Sequence, residues 1–121
     1  MSSALKYFSQ TDFQGANPPC SIGDMCPYFL ARLDYAREIA EVPFVVNSAY
    51  RTTEHEHARG RDGSSSHTKG IAIDIRARTS QERYKVLKGL MKAGFVRIGI
   101  AQTFIHVDTD KEKAPEVVWT Y

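Results

Sequence analysis

Residues 65–74 read Ser-Ser-His-Thr-Lys-Gly-Ile-Ala-Ile-Asp, an S-x-H-x-x-G-x-A-x-D pattern that leaves this part of the chain few conformations. Its second half alternates as a strand does. Ile71, Ile73 and Ile75 share one face, and Ala72 and Asp74 share the other. Gly70 permits a sharp turn between His67 and that strand. Ala72 is small and lies on the Asp74 face, which leaves room beside the carboxylate.

Further along, the chain reads His106-Val107-Asp108. His67, Asp74 and His106 together supply two imidazoles and one carboxylate, a donor set suited to a catalytic zinc ion that keeps one position open for water. Ser65 is placed to hydrogen-bond within the loop and set the direction of His67, the kind of outer support that metal ligands need. His106 and Asp108 are two apart and share a strand face. Asp108 therefore has two candidate roles: to take a proton from a metal-coordinated water, or to hold an imidazole N–H.

At 121 residues the chain is long enough for one domain with one core. Residues 1–24 read as an irregular arm, with turn signals at Asn17-Pro18-Pro19 and Gly23-Asp24. Tyr7, Phe8 and Phe13 are expected to lay their rings across the core. Residues 25–121 form the rest of the domain. A helix is expected over 27–41, started by Pro27, stopped before Pro43, and carrying Phe29, Leu30, Leu33, Ala36, Ile39 and Ala40 on one face. A short strand over 44–46 runs into Asn47-Ser48-Ala49-Tyr50-Arg51. A short helix or solvated turn follows at 53–58, then a serine-rich loop. A second main helix is expected over 80–93, with Ser80 as N-cap, Val86, Leu87, Leu90 and Met91 as its buried stripe, and Gly94 just past its end. Tyr84, Lys85 and Lys88 fall on its exposed face. Residues 95–100 and 103–109 read as two strands with a tight connection. This order predicts an α+β domain, a small antiparallel sheet flanked by two main helices.

Apolar residues make up 42% and charged residues 25%, ordinary for a globular chain. A formal charge of +2, with Lys and Arg scattered, argues against a nucleic-acid partner. The first residues lack the apolar stretch of a secretory signal, and no later run is long enough to span a bilayer. Synthesis in the cytoplasm without membrane insertion is the expectation, with a monomer as the default. Cys20 and Cys26 are not spaced as C-x-x-C, which leaves reduced structural thiols or a small-loop disulfide.

The ten-residue motif resembles the signature of the zinc D-Ala-D-Ala carboxypeptidases and L-alanyl-D-glutamate endopeptidases, bacterial and phage cell-wall peptidases related to the hedgehog fold. The segment from Pro43 through Thr52 is similar to that family's strand and S-G-x-R element, and His106-Val107-Asp108 and Trp119 fit as well. The resemblance covers residues 27–120, and stand-alone phage members are the most similar. It implies a hedgehog-like domain with zinc held by His67, Asp74 and His106. It implies that Arg51 binds the substrate carboxylate or polarises its carbonyl, with Tyr50 and Ser65 beside the substrate and Asp108 as catalytic base or ligand support. The implied activity is hydrolysis of peptidoglycan stem or cross-link peptides, as a carboxypeptidase or an endopeptidase. A phage endolysin released to the wall at lysis is one such enzyme.

Two positions depart from that family. Ala49 stands where a glycine is frequent, which matters only if the backbone there needs a positive φ. Thr103 stands three residues before His106, where many members carry an acidic base, and a threonine cannot take that role at neutral pH. The departure at Thr103 motivates an alternative, a non-catalytic zinc module that binds wall peptides or a protein partner. His55, Glu56 and His57 read as a solvated turn. A metal-dependent nuclease built on His55, His57 and Asp62 is the weakest alternative, because no basic face accompanies it.

Overall fold

The computed structural model describes residues 5–121. In chain order the elements are α1 (Gln10–Gln14), α2 (Pro27–Ala40), β1 (Val46–Ser48), α3 (Thr53–Ala58), β2 (Ala72–Arg76), α4 (Ser80–Lys92), β3 (Arg97–Ile100), β4 (Phe104–Asp108) and β5 (Val117–Thr120). Two 3-10 turns, Ile22–Asp24 and Ser66–Lys69, sit between them. The α+β class expected from the sequence is the one observed.

The five strands lie in the order β1-β2-β4-β3-β5. The first three pairings are antiparallel, and β5 joins β3 in parallel. The sheet is therefore mixed rather than wholly antiparallel. The added strand comes from the tail, whose Val117, Val118 and Trp119 gave no alternation long enough to register as a strand. β1 begins two residues later than expected, at Val46.

The isoleucine face is the core face. Ile73, Ile75, Ile98, Ile105 and Val107 are fully buried against α2 and α4. Helix α2 starts on Pro27 and ends at Glu41, whose φ of 60° is left-handed. Phe29, Leu30, Leu33, Ala36 and Ala40 form its buried stripe. Helix α4 is capped by Thr79 rather than Ser80, because the Thr79 hydroxyl reaches the Glu82 N–H while the Glu82 carboxylate returns to the Thr79 N–H. Its buried residues are Val86, Gly89 and Leu90, whereas Met91 is exposed. Gly89 replaces Met91 in the stripe because α2 passes so close there: a Cβ on Gly89 would lie 2.4 Å from the Ala36 carbonyl oxygen. Phe8 and Phe13 of the N-terminal arm are buried as expected, while Tyr7 stays partly exposed under the Arg37 guanidinium. Cys20 and Cys26 are both half-buried and not bonded to each other.

Candidate metal centre

The face of the sheet away from the core carries one row of residues that crosses all five strands. Asp74 on β2 pairs with Ser48 on β1 and with His106 on β4. His106 pairs with Gly99 on β3, and Gly99 with Trp119 on β5. His67 arrives above this row from the Ser66–Lys69 turn. Ser65 caps that turn, its hydroxyl accepting from the His67 N–H at 3.2 Å. Gly70 ends it at φ 70°, and a Cβ there would lie 2.4 Å from the Asp24 carbonyl oxygen. The motif glycine thus meets two demands, a left-handed turn and contact with the N-terminal arm.

His67, Asp74 and His106 each present one donor atom, and these atoms lie within 4.8 Å of one another. His67 Nε2 is 3.4 Å from Asp74 Oδ1, and His106 Nδ1 is 2.9 Å from the same oxygen. Ligands held tetrahedrally at zinc–nitrogen and zinc–oxygen bond lengths stand roughly 3.3 Å apart. The spacing therefore fits such an ion with small adjustments.

The opposite ring nitrogens are also held. His67 Nδ1–H donates to the Ala49 carbonyl at 2.6 Å, and His106 Nε2–H donates to Asp108 Oδ2 at 2.7 Å. Both acceptors fix the tautomer, so Nε2 of His67 and Nδ1 of His106 are the nitrogens that face Asp74. Ala49 has no positive φ among the described residues, and its replacement of glycine leaves the backbone unstrained.

The charges are strongly coupled. Burial by itself favours a neutral Asp74, but the hydrogen bond from His106 and the nearness of the His67 ring outweigh it and hold the carboxyl well below its ordinary range. Burial likewise opposes a charged His106. Hydrogen bonds to Asp108 and Asp74 override it, and the imidazole holds its proton above the usual value. A proton on His106 Nδ1 occupies the place a cation would take.

Asp108 is only 1% exposed, and both its oxygens are engaged. Oδ2 accepts from His106. Oδ1 accepts from Arg97 Nε at 2.7 Å and from the Asp110 N–H at 3.0 Å. Asp110, itself buried, accepts from Ser66 Oγ at 2.7 Å and from Lys69 Nζ. The loop after β4 is thereby tied to the turn that carries His67. Ala72 pairs with Asp108 across β2 and β4, and its small side chain leaves space for that carboxylate.

Arg51 lies at the other end of the row. Its Nη1 donates to Ser48 Oγ at 2.9 Å, and its Nε lies 3.1 Å from Glu56 Oε2. Burial lowers its affinity for a proton, and the charges of Glu56 and Asp74 restore part of it. Tyr50 is half-buried against the hydrophobic core. Trp119 closes the far end of the row. Its indole lies against Gly99, 5.5 Å from the His106 ring and beneath the Arg97 guanidinium. Burial pushes the Tyr121 hydroxyl up, the charges of Asp74 and Asp108 add to that, and Arg51 opposes it.

The expected ligands are thus brought together, with Arg51, Ser65 and Asp108 around them. His55, His57 and Asp62 form no comparable cluster among the described residues; His57 Nε2 sits beside the Asp62 carbonyl in an exposed loop. Thr103 is exposed in the turn between β3 and β4. Residues 53–58 form the short helix that was one of the two expectations there, but its solvated character fails at Glu56, which is fully buried, because two arginines replace its water. Sequence reasoning also missed Arg97 and Asp110. Trp119 entered through the family resemblance alone, and Gly99, a glycine inside a strand pattern, was the further signal for the wall it forms. A cleft of about 790 Å³ opens beside Tyr28, Phe95 and Lys111, and none of the three candidate ligands lines it. No helix of the described residues is long and apolar enough to cross a membrane.

Comparison with protein families matches residues 7–108 to the family described as Peptidase M15. A search of curated proteins finds no match. The matched stretch holds His67, Asp74, His106, Arg51 and Asp108, while β5 lies beyond it. The chain belongs to the peptidase M15 family of metallopeptidases.

Proposed function

We propose that this chain is a zinc-dependent peptidase that hydrolyses peptide bonds in the stem or cross-link peptides of bacterial peptidoglycan. The observation that carries the reading is the convergence of His67 Nε2, Asp74 Oδ1 and His106 Nδ1, with the far nitrogen of each imidazole already held by an acceptor. Zinc bound there supplies a Lewis acid and lowers the pKa of a coordinated water to about 7. The chain's own residues do the rest. Asp74 and the two histidines hold the ion. Arg51 offers its unpartnered guanidinium edge to a substrate carboxylate, for which its planar fork is suited. Ser65 positions His67 rather than touching substrate. Trp119 and Tyr121 wall one end of the row.

Of its two candidate roles, Asp108 takes ligand support. A general base must reach the water, and Asp108 is buried against Nε2 of His106, the ring nitrogen turned away from Asp74, with Oδ1 already accepting two bonds. With Thr103 unable to act as a base, a slower reaction than in members with an acid at that position is expected. A phage lysis role fits this substrate class and a chain without a membrane-spanning helix among its described residues.

The test is zinc content by mass spectrometry together with digestion of sacculi, comparing wild type with His67→Ala. About one zinc per chain and new stem-peptide fragments in wild type alone support the reading, and the fragment masses name the bond. Zinc binding without any fragment from several wall types favours the second reading, a zinc module that binds wall peptides without cutting them. Thr103 and the occupied Asp108 are the observations that favour it.

A further inference from the structure

Among the described residues of α3, Glu56 alone is buried, and it is fully buried. A helix normally seats itself with an apolar side chain. Here a carboxylate does so, with Oε2 set 3.1 Å from Arg51 Nε and 2.9 Å from Arg61 Nη1. Desolvating a carboxylate is costly, and an apolar residue in such a place is often as stable or more so. Stability alone does not explain Glu56. Its Oε1 and the Nε of Arg51 are sealed from solvent without a hydrogen-bond partner, so the pair is held by charge rather than by a well-aligned bond.

We infer that Glu56 is a positioning residue for Arg51, fixing the plane of the guanidinium so that its free edge meets the carboxylate of the substrate. The inference rests on the peptidase reading above. Two contacts define that plane: Nε against Glu56, and Nη1 on Ser48 Oγ. Ser48 is itself the end of the row that contains Asp74 and His106, so the guanidinium is referenced to the ligand cluster. Nη2 has no partner among the described residues. Arg61 gives Glu56 a second cation, and the trio keeps a net positive charge, as capture of an anionic substrate group requires. Thr52 completes the arrangement by capping α3, its hydroxyl accepting from the His55 N–H at 3.0 Å.

The experiment uses the zinc-loaded protein and three variants, Glu56→Gln, Ser48→Ala and Arg51→Lys, with the double variant of Glu56→Gln and Arg51→Lys. The first readout is hydrogen exchange at the Arg51 Nε–H by nitrogen-15 NMR, which needs no turnover. The second is the split between KM and kcat on soluble disaccharide-pentapeptide muropeptides. Glu56→Gln is expected to speed exchange and to raise KM about tenfold with kcat little changed, the scale of losing one close charge pair. Ser48→Ala, a milder deletion, is expected to do the same to a smaller degree and decides the matter if Glu56→Gln fails to fold. The double variant should be no worse than Arg51→Lys alone. Unchanged exchange in the folded variants, or effects of Glu56→Gln and Arg51→Lys that multiply, overturns the inference. Absence of cleavage by wild type sinks the peptidase reading instead, and the exchange rates still decide whether Glu56 holds Arg51.

Discussion

Replacing Asp108 by asparagine separates its two candidate roles. The amide has nearly the shape of the carboxylate but only one accepting oxygen. That oxygen is retained by Arg97 and the Asp110 N–H, which donate at 2.7 and 3.0 Å. The amide NH2 then faces His106 Nε2, which must accept. The imidazole proton is driven to Nδ1, the nitrogen that faces Asp74. A protonated Nδ1 cannot bind a metal, so zinc affinity should fall by about 10–100-fold, or about 1.4–2.7 kcal/mol. Loss of the carboxylate charge beside the largely buried Arg97 should lower stability by a further ~1–3 kcal/mol. The assay is competition against a chromophoric chelator, followed by muropeptide cleavage at saturating zinc and urea unfolding. Under the positioning role, saturating zinc recovers most of the activity. Unaltered zinc affinity with kcat down by about 10²–10⁴-fold is the signature of a lost general base and refutes the assignment.

Three further outcomes are expected. Gly99→Ala places a Cβ 2.5 Å from the Trp119 indole, so the ring must leave His106 and Arg97; a cost of about 1–3 kcal/mol and a red-shifted emission of the single tryptophan should report it. Gly70→Ala combines a left-handed φ with overlap on the Asp24 carbonyl, and should cost at least ~2 kcal/mol in urea unfolding while weakening zinc binding through His67. In chelator-treated protein the His106 pKa lies above its unfolded value of 6.5, so its contribution is fully present below that pH and is lost as pH rises through the folded value. Asp74 and Asp108 lie below 3.8, so theirs is present above 3.8 and lost on acidification. Thermal scans should therefore show the metal-free form weakening from pH 6 to pH 9, and a flat or rising Tm there contradicts the coupling.

The parts of the site legible in the sequence were those set by local chemistry. The alternation of Ile71, Ile73 and Ile75 fixed which face carries Asp74, and Gly70 announced its own turn. The rest depends on partners distant in the chain. Glu56 looks solvated beside His55 and His57 until the fold brings Arg51 and Arg61 against its carboxylate. Ser80 and Thr79 are equally good caps by type, and the Glu82 carboxylate selects Thr79 by geometry. β5 gains its pattern only from β3, because Trp119 needs the vacant Cβ position of Gly99. The role of Asp108 stayed open because its partner Arg97 sits on a different strand.

The row from Ser48 through Asp74, His106 and Gly99 to Trp119 has a consequence for folding fidelity. Side chains alternate along a strand, so a slip of one residue between β2 and β4 sends a whole strand's set to the opposite face. Such a slip drives Asp74 or His106 into the layer filled by Ile73, Ile105 and Val107, and leaves isoleucine in water. Isolated buried charge is disfavoured by several kcal/mol, far more than a misplaced small apolar group. The candidate ligands therefore also proofread the pairing of the strands, before any ion binds.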